Sequence, residues 1–216
     1  MTIEAFISAS DERTDLAHSA RWKRFFDVFI ALAMLAATWP LFLAVALAVK
    51  LSSPGPVFFF QRRVGRGDCT FSMVKFRSMY LDAEKRRSEV VAQSDRSGIC
   101  MKLKRDPRIT PVGRILRRWS IDELPQLFNV LAGDMSIVGP RPALPEEVAA
   151  YPHHAHRRHD VSPGITGLWQ VSGRADIGFE EMIELDLKYV RRSSLYFDAQ
   201  ILCRTVGVVL TGKGAY

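Results

Sequence analysis

The sequence lacks the features that define several protein classes. Its 216 residues include only three cysteines, Cys69, Cys100 and Cys203, and no CxxC pair. Such a set encodes neither a disulfide framework nor a zinc ribbon, and a reducing, cytoplasm-facing compartment is expected. Internal repeats and low-complexity tracts are also missing, while a hydrophobic fraction of 48% is enough for a sizeable core. Wholesale disorder is therefore excluded, and the length suits one domain with an appendage.

Acidic residues are scarce in the middle of the chain. Residues 50–120 hold 17 Lys and Arg against 6 Asp and Glu, a balance of +11. The balance is −1 (4 against 5) for residues 1–49 and −3 (9 against 12) for residues 121–216, which gives the formal net charge of +7. A basic segment of this kind indicates an anionic partner: nucleic acid, anionic lipid head groups or a phosphorylated small substrate.

Charge is absent altogether from the 22 residues 28–49. As a straight helix this stretch is about 33 Å long, enough for the hydrocarbon core of a bilayer. Asp27 lies directly before it and no small-residue cleavage site follows, which argues against a secretory signal. Pro40, near the midpoint, kinks or breaks a helix at a cost of about 3 kcal/mol unless the freed carbonyl finds another donor, and Thr38 is placed to supply one.

Both flanks of the apolar stretch are basic. The residues concerned are Arg21, Lys23 and Arg24 before it and Lys50, Arg62, Arg63 and Arg66 after it. By the positive-inside rule both ends prefer the cytoplasm. The favoured interpretation is a helix bent at Pro40 that enters one leaflet and returns, ahead of a spanning helix and of a buried core helix.

The remaining chain predicts a mostly helical α+β domain with a small β-hairpin. Residues 52–60 and 71–79 have strand character and can pair across the loop 61–69. The C-terminal stretch 195–210 predicts an amphipathic helix that packs partly on the core and partly at the membrane interface. Helical patterns occur at 111–119, 123–132, 145–151 and 179–190.

The segment 117–142, RRWSIDELPQLFNVLAGDMSIVGPRP, has the highest density of chemistry-bearing residues. A capping box from Ser120 to Glu123 is its structural interpretation. Pro125 argues against the box, because as the fifth helical residue it would leave a carbonyl unpaired. With Asp122 as the N-cap, Pro125 falls in the tolerated first turn. We therefore expect Asp122 at the start of a helix, where the dipole stabilises its ionised form.

Adjacent carboxylates between arginines suit phosphoryl chemistry. Arg117 lies upstream of Asp122 and Glu123, and Arg141 lies downstream in GPRP. In this arrangement a carboxylate attacks phosphorus while guanidinium groups neutralise the phosphate oxygens.

Motifs along the chain resemble the small monotopic phosphoglycosyl transferases, the bacterial sugar transferases that initiate glycoconjugate and exopolysaccharide assembly on polyprenyl phosphate. The resemblance covers residues 23–216 in order and leaves residues 1–20 outside. It implies an N-terminal extension (1–20), a re-entrant membrane helix (21–52) and a catalytic domain (53–216) on the cytoplasmic face of the bacterial inner membrane. The matching motifs are KRFFD (23–27), the segment around Pro40, GPVFFFQRRVG (55–65), KFRSM (75–79), DPRITPVGRILRR (106–118), IDELPQLFNVLAGDMSIVGPRP (121–142) and PGITGLWQVSGR (163–174).

The resemblance also implies an activity: transfer of a sugar phosphate from a UDP-sugar to polyprenyl phosphate, usually undecaprenyl phosphate, with Mg²⁺ and release of UMP. Asp122 matches the nucleophilic aspartate, which forms a covalent sugar-phosphate intermediate, and it matches the magnesium contact. Glu123 matches the neighbouring carboxylate, a general base or proton acceptor, and Pro40 matches the helix-breaking proline. The basic residues expected to bind phosphate are Lys75, Arg77, Arg117, Arg141 and Arg174.

Alternatives of other classes stay open at this point. A glycosyl transferase would release UDP and need no nucleophilic Asp122, and a membrane-tethered module that binds anions or nucleic acid would need no catalysis. The four histidines within 153–160 admit a metal site, but a solvated loop is the preferred interpretation, and Trp169 is preferred as a core residue over a uracil-stacking one. Expected partners are inner-membrane lipid and no nucleic acid; a homodimer and the sugar's identity are left open.

Overall fold

Helices form most of the chain, and two small sheets complete the architecture seen in the computed structural model. The structure describes residues 3–83, 85–86, 106–173 and 177–211, with side chains from residue 20 onward. The helices are α1 (Ile3–Ser52), α2 (Pro111–Arg118), α3 (Gln126–Ala132), α4 (Pro145–Ala149), α5 (Leu168–Ser172), α6 (Phe179–Arg192) and α7 (Leu195–Thr211). The strands are β1 (Phe58–Val64), β2 (Thr70–Phe76), β3 (Ser136–Val138) and β4 (Gly164–Thr166). The predicted mostly helical α+β class with small sheets is confirmed.

Helix α1 contains the apolar stretch. Its segment Ala20–Ser52 is long and apolar enough to cross a membrane, which fits membrane anchoring by length and composition. The helix continues through Pro40, so the predicted break there is not confirmed. Thr38 was expected to serve the carbonyl freed by Pro40, which is that of Ala36, four residues earlier. Instead, the Thr38 hydroxyl donates to the Met34 carbonyl at 2.7 Å, which corrects that expectation.

One face of α1 packs on the rest of the protein along most of its apolar length. Asp27, Ala31, Phe42, Val45 and Val49 are all buried, at spacings that put them on a common helical face. Near the C-terminal end of this face, the Phe42 ring lies 4.7 Å from the Phe76 ring of β2. Much of the remaining surface of α1 exposes large apolar residues: Trp22, Phe25, Phe26, Phe29, Leu32, Met34, Trp39, Leu41, Leu43, Leu47 and Leu51.

Strands β1 and β2 form the predicted hairpin. They pair antiparallel from Phe58↔Phe76 to Val64↔Thr70. The predicted nine-residue loop 61–69 is too long, because residues 61–64 continue the ladder and only 65–69 turn. A 3₁₀ turn at Arg66–Asp68 closes the hairpin, with positive φ at Gly67 (63°) and Asp68 (59°).

Strands β3 and β4 pair in parallel, with Ser136 opposite Gly164 and Val138 opposite Thr166. The sequence analysis missed them, because three residues are too few for a readable alternation. A Cβ on Gly164 would lie 2.0 Å from the Gly139 nitrogen, so glycine is required for this close approach. The pair forms part of the main core, beside Leu127, Val130 and the C-terminal helix.

The C-terminal helix α7 packs partly on the core, as predicted, while its expected place at the membrane interface stays a prediction. Asp198 and Ile201 are buried against the core, while Tyr196, Val206 and Leu210 are exposed. Tyr189 of α6 donates to an Asp198 carboxylate oxygen at 2.8 Å.

Candidate active site

Asp122 and Glu123 lie in a 3₁₀ turn, Ile121–Glu123, between α2 and α3. Helix α2 begins where predicted: Pro111 occupies its first position, and the Thr110 hydroxyl accepts from the Gly113 N–H at 2.9 Å. After α2 ends, Ser120 adopts a left-handed conformation (φ 55°) that redirects the chain into the 3₁₀ turn. The carboxylate pair is therefore presented by a tight connection between two short helices.

Neither capping arrangement considered for this segment is formed. The Ser120 side chain makes no capping hydrogen bond, which rules out the capping box. The residue preceding α3 is Pro125, with a helical φ of −62°, so the prediction of Asp122 as the N-cap is wrong. Because Ser120 adopts a left-handed conformation, Asp122 and Glu123 lie in a separate 3₁₀ turn that precedes α3. The ionisation of Asp122 thus depends chiefly on burial and on neighbouring side chains.

Two of the predicted phosphate-binding residues meet Glu123. The Lys75 ammonium, on β2, donates to Glu123 Oε1 at 2.7 Å, and Arg141 Nη1 lies 3.8 Å from the same oxygen. Burial lowers the pKa of Lys75, against the opposing effect of Glu123. These contacts bring β2, the 3₁₀ turn and the loop after β3 together, although 48 residues separate Lys75 from Glu123.

Asp122 is buried, with 7% of its surface exposed. Burial raises the pKa of its carboxyl; Lys75 opposes this, the like charge of Glu123 adds to it, and Arg117 opposes it again. Among the described residues no side chain hydrogen-bonds to the Asp122 carboxylate. Lys75 and Arg117 therefore lie near the Asp122 carboxylate, but neither side chain donates a hydrogen bond to it.

Arg117 reaches the same neighbourhood from the last turn of α2. Its Nε donates to the Ser78 hydroxyl at 2.9 Å, which fixes the guanidinium. Burial lowers its pKa, and the charge of Asp122 is the leading influence in the other direction. The sequence analysis missed Ser78 as the residue that positions Arg117; only its place in the KFRSM motif drew attention to it.

Arg77 is not brought to this group. Its guanidinium donates to the backbone carbonyls of Val49, in the last turn of α1, and of Ser53 and Pro54 just after it, at 3.2, 2.6 and 2.9 Å. Arg77 thus has a structural role in place of the expected contact with phosphate. Alternate residues of a strand share a face, so the spacing alone would put Arg77 beside Lys75. Arg77, however, lies just past the end of β2 and follows a different path. Arg174 lies outside the described residues.

A small cleft opens beside Glu123. Lys75 and Arg141 line it together with residues that the sequence analysis did not select, namely Arg63, Met73, Gln126, Pro142, Gly164, Ile165 and Gln170. Arg63 and Gln170 both lie within motifs that carry the family resemblance, and this is the sequence feature that could have identified them as site residues. Trp169 is buried in a second core cluster with Met182 and Ile183, in line with its preferred assignment to the core.

The donor set fits a magnesium ion. Mg²⁺ takes oxygen ligands and is bound in many enzymes by one or two carboxylates plus substrate phosphates. Glu123 is engaged by Lys75, whereas the Asp122 carboxylate has no hydrogen-bonding side chain among the described residues. Asp122 is therefore the residue best placed to contact such an ion.

The apolar helix α1 fits membrane anchoring, and the cleft brings Lys75 and Arg141 to the Glu123 carboxylate. The family model for bacterial sugar transferases matches residues 18–212, so the chain belongs to the bacterial sugar transferase family. The family and the enzyme class expected from the motifs are thereby confirmed.

Curated relatives give more detail. The exopolysaccharide production protein ExoY of Sinorhizobium fredii is 41% identical over 90% of this chain and 88% of its own length. The galactosyl transferase CpsE of Streptococcus agalactiae is 47% identical over 74% of this chain, and the UDP-glucose:undecaprenyl-phosphate glucose-1-phosphate transferase of Xanthomonas campestris is 46% identical over 88%. The chain spans only 36% and 39% of the lengths of these last two relatives.

Proposed function

We propose that this chain transfers a sugar phosphate from a UDP-sugar to undecaprenyl phosphate and releases UMP. The observation that carries the proposal is a buried Asp122 next to Glu123, with Lys75, Arg117 and Arg141 supplying positive charge. Relatives whose names specify glucose-1-phosphate or galactose phosphate transfer to undecaprenyl phosphate support it. The sugar itself is left open, since those names differ in it.

In the first step, a carboxylate oxygen of Asp122 attacks the sugar-bearing phosphorus of the UDP-sugar. A bond forms from that oxygen to phosphorus, and the phosphoanhydride bond breaks, so that UMP leaves with the bridging oxygen and its electron pair. The product is an acyl phosphate on Asp122 that carries the sugar. In the second step, a phosphate oxygen of undecaprenyl phosphate attacks the same phosphorus and displaces the Asp122 carboxylate, giving the polyprenyl-diphosphate sugar.

The cationic side chains stabilise charge as it develops on the phosphates. Arg117 is held in position by Ser78, which lowers the cost of ordering it when substrate binds. Glu123, held by Lys75, accepts a proton from the incoming polyprenyl phosphate if that group arrives protonated. Asp122 would hold a Mg²⁺ ion, which would supply positive charge to the diphosphate.

We place the protein on the cytoplasmic face of the bacterial inner membrane, with α1 entering and leaving one leaflet. Contacts at both ends of the apolar stretch support this. Asp27 accepts from the Ile137 N–H at 2.9 Å, while Val49 is buried in a cluster with Phe76 and Leu116. A spanning helix would put one of these two contacts on the far side of the bilayer, away from a domain that lies at one face. The bend at Pro40 remains part of this proposal.

Nucleotide release is the direct test. Purified protein in lipid is supplied with Mg²⁺, undecaprenyl phosphate and a panel of UDP-sugars, and UMP and UDP are scored separately. UMP release with one sugar is the expected result, and the Asp122→Asn variant is expected to lose both UMP release and covalent labelling by the sugar phosphate.

The matched control is Glu146→Gln, an exposed carboxylate on α4, which is expected to retain activity. UDP as the product would indicate glycosyl transfer, and labelling retained in Asp122→Asn would exclude Asp122 as the nucleophile. Release of neither nucleotide with any sugar would favour a non-catalytic binding module.

A further inference from the structure

Two histidines and an aspartate converge at the tip of the β1–β2 hairpin, outside the candidate active site. Asp68 belongs to the turn at the tip, and His156 and His159 belong to the 3₁₀ helix His153–Asp160. One ligand atom from each residue lies within 4.8 Å of the other two. On a 3₁₀ helix residues i and i+3 eclipse one another, so the H-x-x-H spacing puts both rings on the same face.

The distances are close to those of a coordinated ion. His159 Nδ1 lies 2.6 Å and His156 Nδ1 lies 3.6 Å from the same Asp68 oxygen. Ligand atoms about 2.0–2.1 Å from a tetrahedral zinc ion are roughly 3.3 Å apart, which falls between these two values. The side chains are exposed by 7% for His159, 39% for His156 and 56% for Asp68, so an ion can approach from solvent.

We propose that Asp68, His156 and His159 bind one divalent transition-metal ion of the zinc type. Two imidazoles and one carboxylate are a recurrent three-ligand set for zinc, with the fourth position left to water. The sequence analysis preferred a solvated loop for this histidine tract, because four histidines in a charged run had no fixed partner. Asp68 lies 91 residues from His159 in the chain, and the structure brings the two together.

The ion would connect the hairpin tip to the helix that carries Arg158. That arginine donates to the Arg141 backbone carbonyl at 2.9 Å and pairs with buried Asp186. Metal binding would thereby brace the loop that presents Arg141 to the candidate active site, and it is expected to raise the melting temperature of the protein.

The test is zinc binding by the full chain, purified in detergent and stripped with a chelator. Zn²⁺ is titrated at pH 7.5 against a colorimetric zinc indicator, and one ion per chain is expected. Asp68→Asn and His156→Ala are expected to bind on the order of ten-fold more weakly or worse, since even loss of an outer-shell partner costs about that much. Asparagine is chosen because it tolerates the positive φ of this position. Millimolar Mg²⁺, which prefers oxygen ligands, is expected not to compete.

His154→Ala is the matched control, since this neighbouring histidine is not part of the cluster, and it is expected to bind zinc as the wild type does. Unchanged affinity in Asp68→Asn, or an equal loss in His154→Ala, would overturn the site in favour of unspecific binding to the histidine tract. Co²⁺ gives an independent readout: a sulfur-to-cobalt charge-transfer band would assign the ion to a cysteine and would also overturn the proposal.

Discussion

At the residue scale, burial and neighbouring charges set the pH response of the proposed nucleophile. Only the ionised Asp122 carboxyl can attack phosphorus, and burial raises its pKa above the ordinary 3.8, against the pull of Lys75. The reactive form is lost as the pH falls through this raised pKa. The acidic limb of the rate profile is therefore expected at higher pH than for an exposed aspartate.

Replacing Lys75 tests this account of Asp122. Lys75→Met removes the leading cation that opposes burial, so the pKa of Asp122 rises further and the acidic limb of UMP release moves to higher pH. Initial rates measured at saturating UDP-sugar across the pH range give the position of the limb. Lys188→Met, at an exposed site on α6, is the control and should leave it in place. A limb that stays fixed or moves to lower pH in Lys75→Met would contradict the account.

The buried ion pair between Arg158 and Asp186 leads to a prediction about the stability of the protein. Arg158 and Asp186 are 2% and 0% exposed, and Arg158 also donates to the Tyr151 hydroxyl at 2.6 Å. Burial raises the pKa of Asp186 to about 6, with Arg158 opposing it. Asp186→Asn leaves the arginine without a counter-charge, so a loss of about 3–5 kcal/mol in unfolding free energy is expected.

The melting temperature in detergent reports this loss, which is expected to lower it by several degrees or more. Asp160→Asn is the control, because Asp160 faces Arg157 at 4.0 Å on the surface and such exposed pairs contribute about 0–1 kcal/mol. Equal melting temperatures for the two variants would show that the buried pair does not stabilise the protein.

At the element scale, the position of helix α2 depends on the absence of a side chain at Gly113. A Cβ on Gly113 would lie 2.0 Å from the Ser78 carbonyl oxygen, a backbone atom that has little freedom to retreat. Helix α2 would have to shift away from Ser78, and this shift would also move Arg117, which Ser78 holds. Gly113→Ala is therefore expected to lower both the melting temperature and the rate of UMP release.

Gly207→Ala provides the matched substitution within another helix. Nothing lies within 4 Å of a Cβ added at Gly207 in α7, so only helix propensity acts. This variant is expected to gain about 0.5–1 kcal/mol of stability and to keep its activity. If both alanine variants were stabilised, the close approach of α2 to residue 78 would not constrain the fold.

At the scale of the whole molecule, the proposed membrane arrangement is testable by accessibility. In a background with Cys69, Cys100 and Cys203 replaced by serine, single cysteines at positions 20 and 51 mark the two ends of the apolar segment. Because both ends of that segment contact one domain, both cysteines are expected to react with a hydrophilic thiol reagent in inverted inner-membrane vesicles and neither in intact cells.

A cysteine at position 37 is the control, because its place in the middle of the apolar stretch puts it in lipid and should protect it on both sides. Reaction of one end in vesicles and of the other in intact cells would establish a spanning helix and would contradict the monotopic arrangement.

Local signals account for much of the architecture. The uncharged stretch, the Thr110–Pro111 start of α2 and the alternation in β2 depend on near neighbours in the chain, and the corresponding elements are present. Local reasoning was wrong where a single backbone angle decided the path. The left-handed Ser120 is not readable from its residue type, and it moved Asp122 off the helix start.

The sequence by itself determined the family, the mostly helical fold class and the adjacency of Asp122 and Glu123, because motifs and periodicity are properties of consecutive residues. Only the tertiary structure decided which cations reach that pair. It selected Lys75 and Arg141 for Glu123, placed Arg77 at the end of α1, and joined Asp68 to a histidine 91 residues away. The physical reason is that burial and charge act through space, and the distances that govern them arise only once the chain has folded.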